Sequence, residues 1–563
     1  MTSDKKNVSL LADLFVKKGL SDIVISPGSR NAPVIIAFAN HPGIRALSVV
    51  DERSAGYFAL GMARQTGKTV AVTCTSGTAA LNYAPAIAEA YYQKIPLLVL
   101  TADRPPELIE VGDGQTIRQK DVYRNYVKES FELPCVVDDP ATFQIAEEMI
   151  NRAIDLTLFP EPGPVHINIP LREPLYGTSD DTVEGRIIST VKKPEPIAKE
   201  LIEGFAERWN VSERILIVAG QMQPDPLLNS RLAALSKLDN VVILTETTSN
   251  LHDPRFMDCI DNVVSTIGDE EAKKFQPGLV VSFGGQVVSK MIKRYLRLNP
   301  PKDHWHISAS GEQRDTWFSL TGVVPLKPAE FFRLMAGSIA NVESMYAKIW
   351  AVRLEKVKKI GVTYLEKIPW SDLRVFERLF SDIPGDSILH LGNSTPVRYS
   401  QLFGSSAKFI YHSNRGVSGI DGQVSTAAGA AFTSEKINTI ITGDLGFLYD
   451  SNALMNHNLT PNLKIIVINN GGGGIFRFIH GPDTSPLLEK FFSAKHNWRA
   501  DKIAETFDVN YFKASNEKEL AKVLNNFYAK MTRPAILEIF TPSDTNARIL
   551  KDYFKALKTN VLF

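Results

Sequence analysis

Cysteine is almost missing from this chain. Three occur in 563 residues, Cys74, Cys135 and Cys259, far apart and without a CxxC pair. That scarcity speaks against a disulfide framework or a thiolate zinc site. Net charge is missing too: 63 Lys and Arg nearly cancel 62 Asp and Glu. The balance removes the electrostatic reason to expect nucleic acid or a membrane surface as partner. No apolar run reaches the roughly 18 residues needed to span a bilayer. The opening MTSDKKNVSLLADLFVKKGL reads as an amphipathic helix broken by Asp13, Lys17 and Lys18, not as a signal peptide. A cytoplasmic location is the expectation.

What is present is α/β rhythm. The length exceeds a single core, so two to four domains are expected. In the first third, buried-strand runs (Asp22–Ser26, Ala46–Asp51, Lys68–Cys74, Pro96–Ala102, Gly163–Pro170) alternate with helical stretches (Arg53–Arg64, Ala79–Tyr92). Such alternation predicts a doubly wound parallel sheet. A polar stretch from Leu171 to about Pro196 reads as a linker. Similar patterns recur from Glu213 to near Ala340 and, after a helical connector, from about Ser371 onward. The expectation is three doubly wound α/β domains, 1–180, 196–340 and 365–563, with no short sequence repeat.

In open parallel sheets, ligands bind beyond the carboxyl ends of the strands. There the chain sets glycine beside polar residues: Ser26–Arg30, Thr75–Thr78, Gly392-Asn393-Ser394, Asn414-Arg415-Gly416 and Asn469–Gly474. This pattern suits an anion held partly by backbone N–H groups. One stretch is more specific. In ITGDLGFLYDSNAL, Asp444 follows Gly443, and 25 residues later comes NNGGGGIF, with Asn470. A carboxylate (Asp444), an amide oxygen (Asn470) and a backbone carbonyl (Gly472) supply three hard oxygen ligands for Mg²⁺, with Mn²⁺ the alternative. Mg²⁺ takes about six oxygens, so a diphosphate and water would complete the set. A helix beginning near Tyr449–Asn452 would aim its N-terminus at the diphosphate. The competing reading is an ordinary αβ loop followed by a loose glycine linker.

GD followed after about two dozen residues by NN resembles the fingerprint of thiamine-diphosphate enzymes. Far upstream, VVDERSAGYFALGMA sets Glu52 between a strand and a helix, and TSGTAALNYAPAIAEA follows at the next strand end. Alone, Glu52 could be a plain helix N-terminal carboxylate. Together with the downstream motif it resembles the aminopyrimidine site of thiamine-dependent decarboxylases and synthases. The resemblance implies pyrimidine-binding, central and diphosphate-binding domains. It implies that Glu52 hydrogen-bonds the aminopyrimidine and promotes removal of the thiazolium C2 proton. It also implies cofactor contacts from Ser76, Gly77, Asn82, Gly392, Asn393, Ser418, Gly419, Ile420, Gly443, Leu445, Gly473 and Ile475. Sites in this family are shared between subunits, so a homodimer or dimer of dimers is implied.

SPGSRNAP, TADRPPEL with GDGQTIRQ, GNSTPVR and SNRGVSGIDG narrow the likeness. They resemble the 2-succinyl-5-enolpyruvyl-6-hydroxy-3-cyclohexene-1-carboxylate synthases of menaquinone biosynthesis. That family decarboxylates 2-oxoglutarate and adds the remaining four-carbon unit to isochorismate. Both substrates are polyanionic, and Arg forks match carboxylates bidentately. The resemblance places Ser29, Arg30, Arg104, Gln115, Lys290, Ser394, Arg398, Arg415 and Phe476 around the substrates. Arg398 and Ser394 fall to the succinyl carboxylate, and Arg30, Arg104 and Gln115 to isochorismate. Gln115 is also a candidate for acid–base work, whereas His166 reads as a strand residue and His412 is undecided. Surface solvation is the ordinary fate of Arg and Lys, and Lys290 competes with Lys293 and Arg294.

Three residues depart from the pattern: Leu445 for a second glycine, Gly474 for a larger polar residue, and Met291 for a second basic one. The alternatives are another thiamine-dependent 2-oxoacid carboligase or decarboxylase, and a non-catalytic homologue. A nicotinamide enzyme lacks its GxGxxG, since SPGSR has one glycine.

Overall fold

The computed structural model describes residues 1–181, 183–189, 199–478 and 481–561. The expected start of the second domain, residue 196, lies outside the described residues. Three wholly parallel sheets carry the chain. The first orders its strands Arg45–Ser48, Asp22–Ile25, Val70–Cys74, Leu97–Asp103, Val165–Pro170 and Ser130–Glu132. The second runs Val241–Thr245, Ile215–Ala219, Leu279–Phe283, Asp303–Ile307 and Gly322–Val324. The third runs Phe409–His412, Ser387–Leu391, Asn438–Gly443, Leu463–Asn469, Ala535–Phe540 and Asn510–Ala514. A two-residue antiparallel pair, Thr2–Ser3 with Thr178–Ser179, ties the two ends of the first unit together.

The first and third sheets share one topology, second-first-third-fourth-sixth-fifth in chain order. No short repeat announces this duplication. Handedness and short connections constrain βα topology without demanding matching side chains. Several strands lack an apolar signature in the sequence. Asp303–Ile307 (DHWHI) carries two buried histidines and an aspartate in place of an apolar run, and Ser130–Glu132 is only three residues long. The helical stretch Ala79–Tyr92 is two helices, Thr78–Asn82 and Ala84–Gln93.

Packing makes the third sheet the keystone. One apolar cluster joins it to the central sheet through the connector helix Tyr346–Leu365, and a second joins it to the first sheet. Two further clusters belong to the first and central sheets alone. The closest interdomain approach is the helix Glu52–Thr66 against Gln423–Phe432. A Cβ at Gly61 would collide with the Thr426 carbonyl, and one at Gly429 with the Phe58 carbonyl. Gly429→Ala should therefore destabilise the protein by about 1–3 kcal/mol, the scale of overpacking. Thermal denaturation checks this, and an unchanged Tm would refute the close approach. No helix among the described residues is long and apolar enough to cross a membrane.

Candidate active site

At the carboxyl end of the third sheet, Gly443 closes a strand and Asp444 opens the helix Asp444–Tyr449. This corrects the expected helix start near Tyr449–Asn452, which is instead a 3₁₀ turn, Ser451–Leu454. The Asp444 carboxylate accepts the Leu445 N–H on Oδ1 (2.6 Å) and those of Gly471 and Gly472 on Oδ2 (2.8 and 2.9 Å). It thus gathers the two predicted ends of the motif. Burial pushes its pKa up, opposed by those backbone N–H groups.

Asn470 donates its Nδ2 to Asp372 Oδ2 (3.0 Å), and its Oδ1 has no donor among the described residues. That orientation leaves the amide oxygen unengaged, next in the chain to Gly471, whose N–H Asp444 holds. Asp372 is held by Thr541 Oγ1 (2.6 Å), and burial pushes its carboxyl up to about 6. Nothing local in the sequence marks Asp372, because its partners lie far along the chain. His496 is a second unforeseen neighbour. Its Nε2 lies 3.4 Å from Asp444 Oδ2, its ring stacks on Trp498 and its backbone N–H donates to Gly471 O (3.1 Å).

The glycine run is docked rather than loose. Gly473 N donates to Ser493 O (2.6 Å), and Gly472, at φ 143°, would bring a Cβ within 2.5 Å of that same oxygen. A Cβ at Gly474 would lie 2.9 Å from Asn470 Nδ2. The departure at 474 therefore leaves room for the amide. Among the described residues no group of three or more His, Cys, Asp or Glu side chains could hold a metal. A cation here would rest on one carboxylate, one amide oxygen, a carbonyl and phosphate oxygens, the hard donor set that suits Mg²⁺.

Glu52 is the first residue of its helix, capped by Asp51, whose Oδ1 accepts the Ser54 N–H (3.1 Å). Glu52 is half-buried, and burial, with a smaller contribution from Asp51, raises its pKa. No other described residue hydrogen-bonds its carboxylate, so it is poised for an external partner. Its flanking residues meet the far end of the Asp444 helix: Arg53 donates to Tyr449 O (2.7 Å) and Asn452 to Asp51 Oδ2 (2.7 Å).

At the next strand end, Ser76 Oγ donates to Gln115 O (2.9 Å) and Gln115 Nε2 to Ser76 O (3.2 Å). Gln115 adopts φ 59°, and Gln119 holds the Gly77 N–H (2.8 Å). The structure thus joins Ser76, Gly77 and Gln115, with Gln119 as an unforeseen brace. Asn82 stays on the exposed end of its short helix, donating to Thr78 O (3.3 Å).

The predicted cations fall into two groups. In the first, Arg30 is buried and donates to Leu171 O (3.0 Å) and Glu173 (3.1 Å). Arg104 donates to Gly114 O (3.0 Å) and lies 3.8 Å from the same Glu173, while Ser29 is exposed nearby in the chain. The second group crosses the central and third units. Arg398 lies in the helix Thr395–Ser400, entered through Ser394 at φ 75°. Arg415 is 7 % exposed and donates to Asn393 Oδ1 (2.9 Å). Both leave a buried Nε without a partner.

Lys290 opens the helix Lys290–Leu298, and burial plus repulsion from Arg398 and Arg415 lowers its pKa. Lys293, three residues on and so on the same helix face, is lowered by burial and the same arginines. Met291 instead packs against the apolar core. Lys293 is thus a second lysine beside the same two arginines. Glu246 answers these charges. It accepts the Val288 and Ser289 N–H groups (2.7 Å each), and burial pushes its carboxyl up to about 7.

The remaining predicted contacts line the same strand ends. Asn393 spends its Nδ2 on Asn414 O (2.5 Å) and Gly419 O (2.7 Å), bracing the loop that carries Ser418 and Ile420. At Gly392 a Cβ would lie 2.6 Å from Gln423 Oε1. Ile475 and Phe476 occupy the 3₁₀ turn Gly474–Arg477. His166 and His412 are buried strand residues, and burial depresses both pKa values.

Two strand-end sites on topologically equal sheets, one with a poised glutamate and one with an Asp–Asn–Gly oxygen set, define a thiamine pyrophosphate enzyme. Residues 6–123 match the N-terminal TPP binding domain of thiamine pyrophosphate enzymes, and residues 393–539 match the C-terminal TPP binding domain. Within that class, the chain belongs to the 2-succinyl-5-enolpyruvyl-6-hydroxy-3-cyclohexene-1-carboxylate synthase family. A synthase of that name from Christiangramia forsetii is 42% identical over 97% of this chain and 98% of its own. Its counterpart from Flavobacterium johnsoniae is 43% identical over 96% and 97%. The one from Porphyromonas gingivalis is 40% identical over 98% and 97%.

Proposed function

We propose that this chain decarboxylates 2-oxoglutarate and joins the remaining four-carbon unit to isochorismate, giving 2-succinyl-5-enolpyruvyl-6-hydroxy-3-cyclohexene-1-carboxylate and CO₂ for menaquinone synthesis in the cytoplasm. The observation that carries this reading is the cluster of Arg398, Arg415, Lys290 and Lys293 at the junction of the central and third units. A thiamine enzyme acting on monoanionic 2-oxoacids has no need of four cations gathered in one place, with Arg415 buried and Arg398 and Lys293 half-buried.

Thiamine diphosphate, when bound, supplies a carbon nucleophile and a sink for the electrons released with CO₂. Glu52 would hydrogen-bond its pyrimidine ring, and Ser76, Gly77 and Asn82 would border that ring. Asp444, Asn470 and the Gly472 carbonyl would hold Mg²⁺ or Mn²⁺ against the diphosphate. Gly392, Asn393, Gly443, Leu445 and Gly473 would line the diphosphate, and Ser418, Gly419, Ile420 and Ile475 the thiazolium. Arg398 and Ser394 would take the succinyl carboxylate, with Lys290, Arg415 and Phe476 closing the pocket. Ser29, Arg30, Arg104 and Gln115 would take isochorismate, Arg30 and Arg104 exchanging Glu173 for substrate carboxylates. Gln115, already paired with Ser76, would orient the acceptor by hydrogen bonding.

We assign the domains to 1–180, 196–340 and 365–563. We also infer that a dimer, or a dimer of dimers, completes each site. Within one chain the neighbours of Glu52 touch the Tyr449 end of the metal-site helix, not the Asp444 end. A dimer would let the first unit of one protomer face the Asp444 end of its partner.

Mass spectrometry of the product from 2-oxoglutarate and isochorismate, with and without thiamine diphosphate and Mg²⁺, tests the reaction. Product from pyruvate alone would favour a different carboligase. Arg398→Ala should raise the KM for 2-oxoglutarate at least about tenfold, the scale of a lost charge-assisted bond, and more than that for isochorismate. The reverse order in steady-state kinetics would reassign Arg398.

A further inference from the structure

Arg415 sits on a turn with little regular structure of its own, and four backbone groups of that turn are held by side chains from outside its unit. The turn belongs to the third unit, and these holders belong to the other two. Glu89, in the helix Ala84–Gln93 of the first unit, is 1% exposed. Its Oε1 accepts the Gly416 N–H (2.7 Å) and its Oε2 the Val417 N–H (2.8 Å). From the central unit, Gln286 Nε2 donates to Gly416 O (2.6 Å) and Gln221 Nε2 to Ser413 O (2.7 Å). Arg64, also of the first unit, donates to the Asn414 side chain (3.0 Å).

A buried carboxylate is expensive unless its lone pairs are met. Here both oxygens receive backbone donors, the arrangement of an anion-binding nest turned inward on the protein's own chain. Gly416 allows the approach, since a Cβ there would lie 2.6 Å from the Glu89 carbonyl oxygen. An amide could not replace this carboxylate, because it has one acceptor oxygen and its NH₂ would face the second N–H.

We propose that Glu89 is a positioning residue for the substrate-anion cradle: by holding the N–H groups of Gly416 and Val417 it sets Arg415 beside Arg398 and Lys290. Glu89 touches neither substrate nor cofactor and acts through Arg415. The geometry gives the first unit, by a route separate from Glu52, a hand in carboxylate recognition on the third. This inference rests on the reading of Arg415 as a substrate ligand.

Steady-state kinetics of the full-length enzyme loaded with thiamine diphosphate and Mg²⁺ test it, using Glu89→Gln, Gln286→Ala, Arg415→Ala and the two doubles with Arg415→Ala. Arg415→Ala should raise the KM of one carboxylate substrate. Glu89→Gln should raise that same KM about tenfold, the scale of losing one bond to a charged acceptor, with kcat changed less than about threefold. In the Arg415→Ala background it should add nothing, the non-additivity expected of residues acting as one unit. A general packing defect would instead add to the Arg415 effect or move kcat and both KM values together, and either result overturns the proposal. So does an Arg415→Ala variant whose KM values do not move.

Should Glu89→Gln fail to fold, Gln286→Ala decides, because it frees the Gly416 carbonyl through a part-exposed side chain. A KM rise that vanishes with Arg415→Ala supports positioning through the turn, and an unchanged KM overturns it. If the wild-type enzyme makes no product from 2-oxoglutarate and isochorismate, the functional reading fails instead. The coupling is then read on the KM of the 2-oxoacid that it does turn over.

Discussion

Glu52→Gln should lower turnover by at least about a hundredfold, the scale of general acid–base catalysis, while the protein still binds thiamine diphosphate. The expectation rests on placement rather than residue type. Glu52 opens a helix whose capping is done by Asp51, so its own carboxylate is not needed to start the helix. No other described residue hydrogen-bonds it, and burial raises its pKa, which suits the proposed sharing of a proton with a ring nitrogen. Glutamine keeps shape and burial but cannot exchange that proton. Rapid-mixing or coupled assays of turnover, paired with calorimetry of cofactor binding, separate the two effects. Full turnover in the variant would remove Glu52 from activation. Lost cofactor affinity with normal turnover at saturation would make it a binding residue only.

Asp444→Ala should weaken Mg²⁺-dependent thiamine diphosphate binding by a hundredfold or more and abolish activity at ordinary cofactor concentrations. Two losses combine in this residue. The carboxylate is the single anionic protein ligand of the proposed cation set, and without it the protein offers a divalent ion only neutral oxygens beside the diphosphate. The same carboxylate also receives the Gly471 and Gly472 N–H groups, so its removal frees the glycine turn that carries the carbonyl ligand. Asp444→Asn separates the two, since it retains one acceptor for the turn while removing the charge. Calorimetric titration with thiamine diphosphate, with and without Mg²⁺, reads the result. Wild-type affinity in both variants would move the metal elsewhere.

The parts of the site legible in sequence were those encoded by neighbours along the chain. Asp444, Asn470 and Gly472 stand at strand ends in a short spaced motif, and the strands before them are buried and centred on isoleucine and valine. Glu52 and the Ser76-Gly77 turn announce themselves in the same way. Illegible were residues whose partners are remote: Asp372 behind Asn470, His496 beside Asp444, Gln119 on Gly77, and Glu89 on the Arg415 turn. Asp372 and His496 stand outside the motifs, Glu89 and Gln119 stand inside them with nothing local to mark their partners, and only the fold brings each to its partner. Lys293 lay between these cases. Its three-residue spacing from Lys290 was visible, but the choice of Lys293 over Met291 needed the helix rotation that packs Met291 against the core.

By itself, then, the sequence determined the class of architecture, the cofactor signature and the polyanionic character of the substrates. Hydrophobic periodicity, glycine at strand ends and arginine-bearing loops are local and additive signals. The tertiary structure decided how three sheets share their cores, why Gly61, Gly429, Gly416 and Gly474 must lack a side chain, and which buried carboxylates hold the cations in register. Those outcomes depend on close approach between segments hundreds of residues apart. A steric or hydrogen-bond contact of that kind exists only once the chain has folded.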